Sequence, residues 1–156
     1  MKWLWSKIAL AEIAVLIATD RMLKFFAINQ WADQSLELKS WLVLGLEKNT
    51  GIAWGIASSQ SNYAQPINIC CMMIAVLGIA YKGIREWCLG ISPFAESLIF
   101  VGGLSNLIDR IQYAAVVDFI QIFIGNYRLS VFNLADVYIL VGLAFILKKA
   151  WTHEYF

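Results

Sequence analysis

Apolar residues in this chain come in long runs, not in the spaced pattern of a helix with one wet face. Four runs approach the roughly 20 residues that about 30 Å of hydrocarbon requires of a spanning helix: about 7–28, 63–81, 93–111 and 133–151. The second is the cleanest, with no charged residue between Lys48 and Lys82. Glu12, Asp20, Arg21 and Lys24 interrupt the first, and Pro93 opens the third, where a first helical turn tolerates its missing N–H. The connections after the first and third runs carry strand signals instead. Ser40 to Leu46 is apolar and of strand length, and Glu47 to Gly51 supplies turn chemistry. Ile120 to Ile124 alternates, Gly125-Asn126 is a hairpin turn pair, and Tyr127 to Phe132 alternates back. The pattern predicts a mainly α membrane protein: four transmembrane helices with a small antiparallel β-sheet on the outer side, from segments about 36–57 and 117–132.

Composition sharpens this reading. The 156 residues are 60% hydrophobic with a mean hydropathy of +0.66, against roughly 45 to 50% apolar residues in an average soluble domain. No linker or repeat divides residues 1–156, so a single membrane-embedded domain is expected. A net charge of +1 offers no footprint for nucleic acid. Cys70, Cys71 and Cys88 are odd in number and read as free thiols. The N-terminus starts like a signal peptide, but no small-x-small site precedes a polar domain, so it reads as an uncleaved first helix. Lys2 and Lys7 precede the first run, Lys82 and Arg85 fall between the second and third, and Lys148 and Lys149 end the fourth. Because basic loops stay cytoplasmic, both termini and the middle loop should face inward and the strand-bearing connections outward.

Against this background the polar residues inside or beside the runs stand out, since an ionisable group there needs a partner or a task. Asn133 and Asp136 are three apart and share a helical face, which fits an N-cap and its N3 partner. Asp118, in Val-Val-Asp-Phe, has no cap or turn to serve; its plain alternative is a solvated carboxylate. Asn106 lies one turn from Asp109 and Arg110, and those two neighbours would neutralise each other, with Asp109 supporting the backbone below. Asp20 and Lys24 are spaced to pair at i, i+4, while Glu12 reads as a packing or snorkelling residue. His153 has no ligand-spaced partner, so neither metal nor cofactor is expected.

Five strings occur in order: Thr19 to Lys24 (TDRMLK), Asn49 to Gly55 (NTGIAWG), Gly102 to Arg110 (GGLSNLIDR), Val116 to Phe119 (VVDF) and Phe132 to Asp136 (FNLAD). Together they resemble the motif set of bacterial lipoprotein signal peptidase, also called signal peptidase II. The resemblance implies an aspartic endopeptidase of the bacterial inner membrane that removes the signal peptide from diacylglyceryl-modified prolipoproteins, with Asp118 and Asp136 as its catalytic dyad. It also implies that Asn106 and Asn133 stand beside the dyad, that Asp109 and Arg110 form a supporting pair, that Asn49 and Gly51 belong to a segment covering the cleft, and that Asp20 and Lys24 complete the first span. Membrane lipids and globomycin-type cyclic peptide inhibitors are implied partners. The chain departs from the pattern at Arg21, Trp54 and Ser105, where glutamine, phenylalanine and glycine are more usual, which bears on local packing.

Two other classes fit parts of the pattern. In a proton-coupled transporter Glu12, Asp20, Asp109 and Asp136 would form a relay, but the acids gather at one side and no inverted repeat is present. A scaffold for membrane helices would need no carboxylate.

Overall fold

The structure, a computed structural model, describes residues 2–51 and 64–153. Each long apolar run forms a helix: α1 (Lys2–Gln30), α2 (Ala64–Cys88), α3 (Phe94–Tyr113) and α4 (Leu134–His153). The connections form β1 (Leu36–Lys39), β2 (Leu42–Asn49), β3 (Val116–Ile124) and β4 (Tyr127–Phe132). They make one antiparallel sheet in the order β1-β2-β3-β4.

Several boundaries differ from the sequence reading. Lys82 and Arg85 lie on α2 and not in a loop, because the helix continues to Cys88. It stops where Gly90 takes a φ of 79°; there Ile91 N–H bonds Glu86 O at 2.9 Å and Gly90 N–H bonds Trp87 O at 3.0 Å, the paired hydrogen bonds of a left-handed helix stop. Pro93 caps α3 from outside the helix. Residues 47–49, expected in a turn, continue β2, with Glu47 opposite Asp118 and Asn49 opposite Val116. Their register shifts between Leu44 and Glu47, a bulge of the kind that re-aims side chains beside functional sites. The turn falls earlier, at Ser40 and Trp41. The Gly125-Asn126 hairpin forms as expected, with Gly125 at a φ of 58° and Ile124 opposite Tyr127. Residues 52–57 of the first strand segment, with Trp54, lie outside the described residues.

Helix α3 is the centre of the bundle, and α1, α2 and α4 each pack on it. Its contact with α4 depends on glycine. A Cβ on Gly102 would collide with the Ala135 carbonyl oxygen, and one on Gly142 would come within 2.7 Å of Ala95 O. On the α2 side a Cβ on Gly103 would stand 3.0 Å from Val76.

The distribution of polarity is the reverse of a water-soluble fold. Asp20, Lys24, Asp109 and Asn133 are fully buried, whereas Leu10, Phe25, Ile74, Leu140 and Leu147 are each at least 60% exposed. So much contiguous apolar surface marks a membrane or partner surface. Among the described residues one helix, Gln65–Cys88, is by itself long and apolar enough to cross a membrane. Its charges, Lys82, Arg85 and Glu86, gather in its last two turns, whereas α3 and α4 carry charges at both ends: Glu96, Asp109 and Arg110 on α3, and Asp136, Lys148 and Lys149 on α4.

Gly102→Ala tests the α3–α4 approach. Overpacking of this kind typically costs about 1 to 3 kcal/mol, and the variant should melt several degrees lower in detergent. Gly78→Ala, inside α2 where a Cβ meets nothing within 4 Å, should melt at or slightly above the wild type, since alanine is favoured over glycine in a helix by about 0.5 to 1 kcal/mol.

Candidate active site

At the sheet end of the bundle, buried polar groups from α1, α3, α4 and two strands converge. Lys24 organises them. Its fully buried ammonium donates to Asn106 Oδ1 at 2.8 Å and pairs with Asp109 Oδ2 at 2.7 Å and Asp20 Oδ2 at 3.0 Å. Three acceptors match its three N–H donors.

Each carboxylate on Lys24 then ties down a second element. Asp20 Oδ1 accepts the Ala135 backbone N–H at 2.9 Å, so a residue of α1 helps cap α4; its other oxygen accepts the Ser105 hydroxyl at 2.5 Å. Asp109 Oδ2 also accepts Val117 N–H at 3.2 Å, which fixes the start of β3. Asp109 is not neutralised by its neighbour Arg110, contrary to the sequence expectation. Successive residues on a helix point about 100° apart, and Asp109 instead meets Arg21 and Lys24 of α1. Arg110 turns toward the chain after β2 and donates to the carbonyls of Thr50 and Gly51. Arg21 and Ser105, where the sequence departs from the family pattern, both fit: Arg21 also reaches Gln112 Oε1 at 3.1 Å.

Asp118 and Asp136 are both bonded to Asn133. Asp136 Oδ2 accepts Asn133 N–H at 3.2 Å while Asn133 Oδ1 accepts Asp136 N–H at 3.0 Å, the reciprocal box that the spacing predicts. Asp136 Oδ1 remains directed at Asn106, whose Nδ2 donates to it at 2.8 Å. Asp118 Oδ1 accepts from Asn133 Nδ2 at 2.7 Å and Oδ2 from Asn49 Nδ2 at 3.0 Å. Asn49 Oδ1 in turn accepts Gly51 N–H at 3.1 Å, a local turn at the end of β2. Asn133 Nδ2 also contacts Asn106 Oδ1 at 3.1 Å, joining the two halves.

The Asp118 carboxyl, on β3, is raised from the usual 3.8 to about 7, first by burial and then by the nearby charge of Asp136. Hydrogen bonds from Asn49 and Asn133 and the Lys24 charge pull it the other way. The sequence reading missed two groups. Glu96 is buried and joins Lys82, and the Gln65 side chain donates to Ala114 O. Both contacts cross between helices, so no local spacing signals them.

The Asp118 titration can be followed by infrared spectroscopy of its carboxyl stretch. The band should disappear as pH rises through about 7. Asn49→Ala removes a hydrogen bond to the charged form, so its midpoint should move to higher pH; an unmoved midpoint would separate Asn49 from Asp118.

Known proteins resemble this chain along nearly its whole length. Residues 12–152 match the family model described as signal peptidase (SPase) II. The lipoprotein signal peptidase of Pseudoalteromonas translucida is 30% identical, covering 97% of this chain and 89% of that protein. That of Listeria welshimeri is 32% identical over 88% of this chain and 89% of its own. A solved structure described as a bacterial membrane enzyme superposes with a TM-score of 0.79 at 26% identity, covering 94% of this chain and 88% of the other. By this match over residues 12–152 and the likeness to these relatives, the chain belongs to the signal peptidase II family.

Proposed function

We propose that this protein is an aspartic endopeptidase that cleaves the signal peptide from diacylglyceryl-cysteine-modified prolipoproteins, with Asp118 and Asp136 as the dyad. The observation that carries this reading is the difference in partners between the buried aspartates. Asp20 and Asp109 are in ion pairs with Lys24 and Arg21. Asp118 and Asp136 accept hydrogen bonds from asparagine amides and the backbone, and neither is in an ion pair among the described residues. Amide donors orient a carboxylate while leaving it able to exchange a proton, which general acid–base chemistry requires.

Two carboxyls in one partly dehydrated site share a proton near neutral pH. The ionised member takes a proton from water as it attacks the scissile carbonyl; the protonated member polarises that carbonyl and later supplies the leaving amine. The pair titrates as a unit. Asn106 and Asn133 hold the two carboxylates in place, Lys24 and Asp20 hold Asn106 and the start of α4, and Asp109 holds β3. Asn49, Gly51 and Arg110 shape the cover over Asp118.

In this reading all four helices span the bacterial inner membrane, both termini are cytoplasmic, and the dyad works at the outer interface. The inside-out polarity of the bundle supports it, because lipid can cover faces that water would not. The scissile bond precedes a lipid-bearing cysteine, so the substrate's acyl chains stay in the bilayer while the sheet covers the peptide. Globomycin-type cyclic peptides would compete for the same cover and dyad.

Cleavage of a diacylglyceryl-modified prolipoprotein by purified protein in lipid tests the assignment. Asp118→Asn and Asp136→Asn keep size and remove the ionisable group, so each should lower kcat by a factor of about 100 or more, while Asp33→Asn on the exposed loop should cut normally. Normal cleavage by either dyad variant would remove that residue from the chemistry. Asp109→Asn belongs to a different class. It leaves the positive charge of Lys24 undercompensated, a loss of about 3 to 5 kcal/mol for broken buried pairs, and should show as a lower yield of folded protein. The activity of the wild type should fall on the alkaline side as the shared proton leaves, with a limb near the Asp118 value of about 7.

A further inference from the structure

Two buried side-chain atoms in the described residues lack a hydrogen-bond partner, Arg110 Nε and Gln65 Oε1. A buried polar group left unpaired costs about 1 to 3 kcal/mol, so each such group calls for an explanation. Arg110 lies in the last turn of α3, and Gln65 of α2 reaches the same end through Ala114. Gln65, in the first turn of α2, donates its Nε2 to the carbonyl of Ala114. Ala114 closes α3 in a left-handed conformation at a φ of 55°, its N–H bonded to Arg110 O at 3.1 Å. The Gln65 amide cannot be turned over, since that would set its oxygen against the Ala114 carbonyl. Its orphan is therefore an acceptor, and that of Arg110 is a donor.

One free donor and one free acceptor beside the same turn match the two polar groups of a peptide backbone. We infer that Gln65 is a substrate-positioning residue, whose Oε1 accepts a backbone N–H of the bound signal peptide while Arg110 Nε faces a backbone carbonyl. The inference rests on the peptidase reading and extends it to a subsite that recognises main chain and is indifferent to side chains. Its distance from the dyad follows from β3. Ala114 precedes Asp118 by four residues, at most about 13 Å at 3.3 Å per residue of extended chain, and the left-handed Ala114 shortens the span. A substrate lying extended beside β3 therefore meets Gln65 three or four residues from the scissile bond.

The experiment uses diacylglyceryl-modified peptide substrates in which one backbone amide at a time is replaced by an ester, which deletes a single N–H. With the wild type, kcat/KM should fall roughly fivefold, the worth of one ordinary hydrogen bond, for the ester three or four residues from the cleavage point, and the loss should be in KM. Gln65→Met keeps the length and removes the acceptor. It should lose roughly fivefold on the all-amide substrate and show no further loss with that ester. A flat ester scan in the wild type overturns the subsite without any variant, as does an ester penalty that persists undiminished in Gln65→Met. A wild type that leaves the all-amide substrate uncut removes the peptidase reading itself, and the subsite with it.

Discussion

The ammonium of Lys24 is the constraint on which the rest of the structure depends. An unpaired charge buried among apolar helices costs several kcal/mol even after relaxation, so it must be surrounded by acceptors that fit it. Those acceptors come from α1 itself and from α3. Each then uses its remaining capacity elsewhere: Asp20 on the first turn of α4, Asp109 on the first residues of β3, Asn106 on Asp136. One buried cation thus sets the relative positions of the two elements that carry Asp118 and Asp136. Arg21 completes the charge balance, because two carboxylates sharing one lysine would otherwise leave an unmatched negative charge.

Asparagine separates this permanent charge from the groups proposed to do chemistry. A cation bonded directly to Asp118 or Asp136 would hold that carboxylate in its ionised form, and a dyad needs one of its members protonated. Asn106 and Asn133 transmit geometry without transmitting a full charge, since an amide orients a carboxylate through a dipole. Asp136 also serves as the cap partner of Asn133, yet this occupies only one of its oxygens. The capping of Ala135 by Asp20 takes another free N–H of α4, so Asp136 Oδ1 stays available at the site.

Much of this was legible in the sequence where the determining interaction is local. Apolar runs gave the helices, Gly125-Asn126 gave the hairpin, and the three-residue spacing of Asn133 and Asp136 gave their reciprocal cap. The i, i+4 pair of Asp20 and Lys24 forms as its spacing suggests. Expectation failed where two segments meet. Adjacency suggested that Asp109 and Arg110 would pair, but neighbours on a helix diverge, and the cations that Asp109 meets come from residues more than eighty positions earlier. The end of β2 looked like a turn because Glu47 to Gly51 has turn composition; pairing with β3 carries it on as strand. Arg21 and Ser105 depart from the usual family residues, and what they bond to was not legible because their partners, Asp109 and Asp20, lie on other helices. The same holds for Glu96 and Gln65, whose partners lie across the bundle and leave no periodic trace.

The two ends of the bundle are held by different means, and this bears on how the site keeps its shape. Away from the sheet, Lys82 bridges Glu86 and Glu96 while Lys149 also reaches Glu86, which links α2, α3 and α4. Helix α1 takes no part in that network among the described residues. Among the described residues its polar attachments to other elements are Asp20, Arg21 and Lys24, all at the sheet end, where Trp31 just beyond the helix also packs on Phe119 of β3 with ring centroids 6.0 Å apart. Between the other halves of α1 and α2 lies a largely apolar cavity of about 320 Å³, lined by Leu10, Ile13, Ile84, Trp87 and Phe100. The helix that supplies the organising lysine is therefore pinned at the candidate site. Any shift of α1 at Lys24 would break three buried interactions together.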